Sequence, residues 1–221
     1  MKRIRIDKDS HGTIAKMWAL TAAIAVVVLL LIHNPWIWIP IIIVLTAFAF
    51  FVFWFHRLPD REITPGDETL VTAVADGKVV IVEEAYENEY FKGDCIQVSV
   101  YMDFFDVHAN YWPMDGEISY YKYHPGKYLL AFLPKASEKN EHSSTAIRNA
   151  HGEIFFKQIA GTFARRIVCY SKEGMKVERG KQCGIIKFGS RIDYFFPLDA
   201  EILVKEGEFT RACQTPIARL S

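Results

Sequence analysis

Leu70-Val71-Thr72-Ala73-Val74-Ala75-Asp76-Gly77-Lys78-Val79-Val80-Ile81-Val82 decides how the larger part of this chain folds. Two runs rich in β-branched residues flank an Asp-Gly pair. Branched side chains fit a pleated surface, and Asp-Gly suits the positive-φ positions of a tight turn, so the stretch reads as two strands around a hairpin turn. Further along, Ile96-Gln97-Val98-Ser99-Val100 and Ile154-Phe155-Phe156-Lys157-Gln158-Ile159 repeat the pattern, punctuated by Gly, Pro or Asp. A second Asp-Gly pair, Asp115-Gly116, again sits between strand-like runs and hints at an internal duplication. No helical period emerges after Phe55. Residues 138–150 are polar and short of apolar anchors, and read as a loop. The expected fold is mainly β: an antiparallel sandwich or barrel-like domain over residues 57–221, preceded by a helical hairpin.

That hairpin comes from the other end of the chain. Residues 17–55 carry no fixed charge, and only Thr21, His33, Asn34 and Thr46 are polar. Asn34-Pro35 divides the block, because the residue before proline is pushed out of the helical region. The second half is long enough to span a bilayer, and the first is long enough if it borrows from its flanks. Residues 17–56 therefore read as two transmembrane helices after a basic segment, 1–16. The block is too long, and lacks a small-residue cleavage site, for a removable signal peptide. Lys2, Arg3, Arg5, Lys8 and Lys16 precede it and Arg57 and Arg61 follow it, while the turn has no Lys or Arg. The positive-inside rule puts both ends in the cytoplasm, and with them the β domain, at the cell (inner) membrane. The alternative is one long bent span with the domain outside.

The whole chain of 221 residues has zero formal net charge, which argues against a broad nucleic-acid surface. Cys95, Cys169, Cys183 and Cys213 show no Cys-x-x-Cys spacing, so they suggest reduced core thiols and no metal site.

The most specific stretch is Lys187-Phe188-Gly189-Ser190-Arg191-Ile192, which follows Gly184-Ile185-Ile186 and precedes Asp193-Tyr194-Phe195-Phe196-Pro197. A Gly-Ser bond alone says nothing, but this context resembles the self-cleavage site of the phosphatidylserine decarboxylase family, in its short bacterial and archaeal type. Asp106-Val107-His108-Ala109-Asn110-Tyr111-Trp112-Pro113 is similar to the family's Asp-x-His segment, and Val74-Ala75-Asp76-Gly77 to its Asp-Gly near the start of the catalytic domain. Gln158-Ile159-Ala160-Gly161-Thr162-Phe163-Ala164-Arg165-Arg166-Ile167-Val168 and Gly180-Lys181-Gln182-Cys183-Gly184 resemble the segments ahead of the cleavage strand. The resemblance spans about residues 65–197.

It implies a chain that makes its own cofactor. The Ser190 hydroxyl would attack the carbonyl of Gly189, and the resulting ester would eliminate and hydrolyse to leave a pyruvoyl group derived from Ser190. Glycine before the serine permits the strained geometry of that attack. A base is needed, and histidine suits neutral pH. Seven histidines compete; His124 reads as a turn residue, and His142 and His151 fall in or beside the polar loop. The family pattern favours His108, with Asp76 orienting it. The long-form enzymes carry a second histidine where Tyr111 stands, so His108 serves both processing and turnover, or Tyr111 or water takes over a part. In turnover the pyruvoyl ketone would form a Schiff base with phosphatidylserine and accept electrons as CO2 leaves, giving phosphatidylethanolamine. His108 would return the proton, and Arg165 and Arg166 would bind the phosphate. The product would be a heterodimer of residues 1–189 and 190–221, with higher assembly left open. Phe104-Phe105, Tyr111-Trp112 and Tyr120-Tyr121 are candidates for a lipid-facing rim. The competing readings are a non-enzymatic, membrane-anchored β scaffold and a pyruvoyl enzyme for another amino-acid headgroup or a soluble amino acid.

Overall fold

The computed structural model describes residues 4–127, 140–161, 167–186 and 190–221. The chain divides into two compact units, Met1–Asp60 and Arg61–Ser221.

In the first unit, helices α1 (His11–Leu31) and α2 (Pro35–Phe55) are bracketed by two short strands. These strands, β1 (Ile4–Ile6) and β2 (Arg57–Pro59), pair antiparallel and tie the two ends of the hairpin together. The break falls where Asn-Pro predicts it. Asn34 Oδ1 accepts from the Trp36 N–H at 3.0 Å, and Pro35 occupies the first turn, where its missing N–H costs nothing. Both helices are apolar all round and mostly exposed, each long enough to cross a bilayer, which fits membrane association. Thr21 and Thr46 donate to the Met17 and Ile42 carbonyls at 2.8 Å, and Trp18 Nε1 donates across to the Ala49 carbonyl at 2.9 Å.

The second unit is mainly β and antiparallel. Its strands are β3 (Leu70–Thr72), β4 (Gly77–Glu87), β5 (Gly93–Met102), β6 (Ala109–Tyr111), β7 (Gly116–His124), β8 (His142–Asn149) and β9 (Gly152–Ala160), followed by β10 (Ile167–Cys169), β11 (Lys176–Val177), β12 (Gln182–Ile186), β13 (Ser190–Phe196), β14 (Glu201–Ile202), β15 (Phe209–Thr210) and β16 (Pro216–Arg219). Eight of them form one sheet in the order β11-β7-β8-β9-β13-β5-β4-β15, and two three-stranded sheets, β10-β12-β6 and β14-β16-β3, complete the unit. Successive strand residues point to opposite faces. On β13 this sends Ile192, Tyr194 and Phe196 into the main core with Val98, Val100, Met102, Phe156 and Trp112. Truncating Phe156 or a similar core aromatic to alanine costs about 3–5 kcal/mol.

Three sequence expectations change. First, Asp76-Gly77 does not close a hairpin. β3 pairs with β16 and β4 with β5, so the dipeptide marks a crossing from one sheet to another. Gly77 sits at φ 153°, and a Cβ there would run into the Tyr101 carbonyl, so only glycine lets the chain pass. Asp115-Gly116 is a second such crossing, from β6 to β7. The two crossings brace each other through Tyr111 N–H to the Val74 carbonyl and Thr72 N–H to the Pro113 carbonyl, both 2.9 Å.

Second, the supposed loop at 138–150 contains β8, which lies inside the large sheet between β7 and β9. Its Ser143, Ser144 and Thr145 are buried on both faces because each hydroxyl has a partner: Gln158 (2.8 Å), Glu89 (3.0 Å) and Ser171 (2.8 Å). Accordingly, His142 opens this strand, and His124, expected in a turn, ends β7. Third, the aromatic rim splits. Phe105 is exposed and Phe104 is at the borderline, but Tyr111 and Trp112 are buried.

Candidate active site

Ser190 is the first residue of β13 and is wholly buried. It lies opposite Met102 of β5 on one side and Ala160 of β9 on the other. Its Oγ points to the Met102 sulfur at 3.7 Å, a weak acceptor, and the parity of the strand places it on the core face. The hydroxyl is therefore held in a dry, largely apolar setting.

His108 is also wholly buried and stands immediately before β6. Its carbonyl accepts from the Ile186 N–H at 3.2 Å, and Ile186 is the last residue of β12. Its Nδ1 lies 3.1 Å from the Asp106 carbonyl. A carbonyl only accepts, so the proton sits on Nδ1 and Nε2 is the basic nitrogen. The loop from Met102 to His108 thus starts beside Ser190 and ends beside Ile186. It is stiffened by two side-chain bonds: Asp106 Oδ2 accepts from the Asp103 N–H (2.9 Å) and Asp103 Oδ1 from the Phe105 N–H (2.7 Å). In this way the fold brings the two ends of the Lys187–Gly189 stretch, Ile186 and Ser190, against the two ends of one short loop, one of which carries the histidine. Residues 187–189 themselves, including Gly189, and Arg165 and Arg166 lie outside the described residues.

A polar chain extends from this point. Asn110 shares its strand parity with His108. Ser143 Oγ donates to Gln158 Oε1 at 2.8 Å, and Gln158 Nε2 donates to Asn110 Oδ1 at 2.8 Å. In this arrangement Asn110 Nδ2 is, among the described residues, a buried donor with no hydrogen-bond partner. Gly184 makes the space, since a Cβ there would collide with the Val168 carbonyl and crowd Gln158 Nε2 at 3.2 Å. An unspent donor in a dry pocket is costly and marks a place where negative charge is welcome. Sequence reading missed Asn110, Gln158 and Ser143, although the first two stand in segments it quoted. A buried amide has no motif of its own.

Asp76 is held differently. Both carboxylate oxygens are gripped by the Arg61 guanidinium, and Oδ1 also accepts from the Ala212 N–H at 2.9 Å. Burial alone would lower the Arg61 pKa, but Asp76, with a smaller contribution from Tyr111, raises it instead. Burial pushes the nearby Cys213 thiol up to about 12, with Asp76 adding and Arg61 opposing. The carboxylate that sequence reading assigned to orienting His108 is thus clasped by an arginine. Tyr111, which stands where the long form has its second histidine, lies near that same guanidinium. Arg61 follows the helical hairpin without any motif and was read only as a topogenic charge.

Behind Ser190, on the opposite face of β13, Arg191 and Asp193 form a buried ion pair with contacts of 2.7 and 2.9 Å. The sequence placed both residues within the cleavage context. The structure gives them to the far side of the sheet.

Comparison with known proteins shows the family of the chain. The model of the phosphatidylserine decarboxylase family matches residues 48–218. A phosphatidylserine decarboxylase proenzyme of Amoebophilus asiaticus is 47% identical over 171 residues, covering 77% of this chain and 76% of that protein. One from Parabacteroides distasonis is 43% identical over 168 residues, covering 76% of each. One from Porphyromonas gingivalis is 36% identical over 219 residues, 98% of this chain and 99% of that protein, so the likeness includes the helical hairpin. With a family model matched over residues 48–218 and relatives 36–47% identical across most of their length, the chain belongs to the phosphatidylserine decarboxylase family.

Proposed function

We propose that this chain is the proenzyme of a phosphatidylserine decarboxylase that cuts itself between Gly189 and Ser190 and then converts phosphatidylserine to phosphatidylethanolamine. The observation that carries the reading is the setting of Ser190: wholly buried, on the core face, at the head of the strand where the His108 loop closes. In the first step Ser190 Oγ bonds to the Gly189 carbonyl carbon while His108 Nε2 takes the hydroxyl proton. The carbonyl electron pair moves to oxygen, and Asn110 Nδ2 supplies a donor for that charge. Collapse breaks the C–N bond, the Ser190 nitrogen takes up the proton, and an ester remains. Loss of the Ser190 α-proton then expels the Gly189 carboxylate, and hydrolysis of the resulting enamine releases ammonia.

The surroundings fit the pyruvoyl group so formed: a buried setting, a buried histidine at the far end of the loop that starts beside Ser190, and an amide donor with no partner among the described residues. When present, that group acts as the electron sink for decarboxylation. His108 holds the proton that replaces CO2, the apolar walls exclude water, and Arg165 and Arg166 are proposed for the lipid phosphate. For Asp76 we propose an indirect part through its clasp with Arg61, next to the Tyr111 position.

The two fragments, 1–189 and 190–221, would stay together. β13 is hydrogen-bonded between β5 and β9, and β15 and β16 pair with β4 and β3. Cutting one peptide bond ahead of β13 leaves all these ladders intact. The charge pattern around the helical hairpin supports a domain on the cytoplasmic side of the inner membrane. The test is release of headgroup CO2 from phosphatidylserine in mixed micelles by the purified full chain, beside free serine. Turnover of the lipid and not of serine is expected. Turnover of neither by a chain that has cut itself would contradict the assigned substrate.

A further inference from the structure

A cluster on the face of the large sheet opposite Ser190 has no part in the reaction above. His124 ends β7, His142 begins β8, and the two are direct cross-strand partners, which places their Cβ atoms roughly 5 Å apart. Their rings stack with centroids 4.3 Å apart and planes 13° from parallel. Glu89, in the turn between β4 and β5, meets them, with its Oε1 2.6 Å from His124 Nε2. One ligand atom from each of the three lies within 4.8 Å of the others. The cluster opens onto a cleft of about 650 Å³ that Gln97, Tyr120 and Lys122 also line.

The groups around these three residues already orient them. His142 is buried, and its Nδ1 lies 2.7 Å from the Asn140 carbonyl. That carbonyl can only accept, so the proton is on Nδ1 and Nε2 carries the lone pair. Glu89 is held from behind as well. Its second oxygen is fixed by Ser144 Oγ and Lys157 Nζ, each at 3.0 Å. Outer bonds of this kind are what holds metal ligands in place. Two carboxylates, Glu87 and Glu89, share the single ammonium of Lys157.

We propose that Glu89, His124 and His142 form a binding site for one divalent transition-metal ion of the zinc class. Two imidazoles and one carboxylate suit Zn2+ or Co2+ and disfavour Mg2+ and Ca2+, which take oxygen ligands. The ion replaces the proton between His124 Nε2 and Glu89 Oε1. Parallel rings cannot both aim a lone pair at one ion, so His124, the more exposed of the two, turns about its ring torsion while His142 stays fixed. The remaining coordination position faces the cleft and takes water. The ion joins the β4–β5 turn to the β7–β8 pair.

The test is titration of the chelator-treated full chain in detergent with Zn2+ against a chromophoric competitor, with Mg2+ in parallel and Co2+ as a spectroscopic probe. One Zn2+ per chain is expected. Binding should weaken at least about 10-fold in His124→Gln and in His142→Gln, and Zn2+ should raise the melting temperature of the wild type but of neither variant. The Co2+ complex should lack a thiolate charge-transfer band. His124→Gln changes a partly exposed side chain, so it reports on binding even where His142→Gln does not fold. Three outcomes would each overturn the site: no stoichiometric uptake, equal uptake by wild type and His124→Gln, or a thiolate band that vanishes on mutation of a cysteine.

Discussion

Along β13, Ser190, Ile192, Tyr194 and Phe196 face the main core, while Arg191, Asp193 and Phe195 face the other side of the same sheet. The core face is largely apolar and carries Ser190 and a short amide chain that ends, among the described residues, in an unspent donor at Asn110. The opposite face is crowded with charge, but its charges are matched: Arg191 with Asp193, and Lys157 with Glu87 and Glu89. One strand therefore presents two kinds of polarity. On the core side a few polar atoms are kept short of partners in a dry place, which is where reactivity is cheap to elicit. On the far side the charges are paired with one another, and they add rigidity and specificity rather than chemistry. A substitution should therefore change chemistry on the first face and stability on the second.

The largest effect expected on the core face is that of Ser190→Ala. It removes one buried oxygen whose partner among the described residues is the Met102 sulfur, so the melting temperature should barely move while decarboxylation falls to background. His108→Gln keeps the bulk of the ring but loses its base, and should slow appearance of the C-terminal fragment by about 10²–10⁴-fold in a pulse-chase experiment. On the far face, Asp193→Asn takes from the buried Arg191 the carboxylate that lies 2.7 Å from its Nε. Chemical denaturation should show a loss of about 3–5 kcal/mol, and the double change Arg191→Met, Asp193→Leu should recover most of it. If the single change slowed self-cleavage of protein that is still folded as much as His108→Gln does, the division between the faces would fail.

Two smaller effects sharpen the contrast. Ser143→Ala removes the first bond of the amide chain and should cost about 1 kcal/mol, with a slowing of cleavage well below that of His108→Gln. On the far face, Glu89 is held at about 2 in the fold against an ordinary value of 4.5. A carboxyl depressed by folding contributes stability that is fully present above its unfolded pKa and is lost as pH falls through the folded one. In metal-free protein, the stability difference between wild type and Glu89→Gln should therefore be flat above about pH 5.5 and shrink steadily as the pH falls toward 2. A pH-independent difference would mean that Glu89 is not held by its charge.

The helical hairpin, with its break at Asn34-Pro35, and the β character of the rest were legible because each rests on a local rule: length and apolarity for the helices, branched residues and punctuation for the strands. Where tertiary context supplied partners, local rules failed. β8 looked like a loop because Ser143, Ser144 and Thr145 are polar, yet each hydroxyl finds its bond only after distant segments pack beside it. Asp-Gly looked like a hairpin because composition cannot tell a turn within one sheet from a crossing between two. In the site, Ser190 and His108 are proposed from the family resemblance of the segments that hold them. Arg61 and Asn110 were not legible. Their importance lies in what they touch, Asp76 in one case and Gln158 in the other, across stretches of chain that share no pattern.

The most direct measurement is the intact mass of the detergent-purified, folded full chain beside its Ser190→Ala variant. The account predicts that the wild type yields a fragment starting at residue 190, with a blocked N-terminus and the mass of a pyruvoyl group in place of serine, still bound to residues 1–189, and that the variant yields one uncut chain. A folded, freshly prepared wild type that stays in one piece would contradict it.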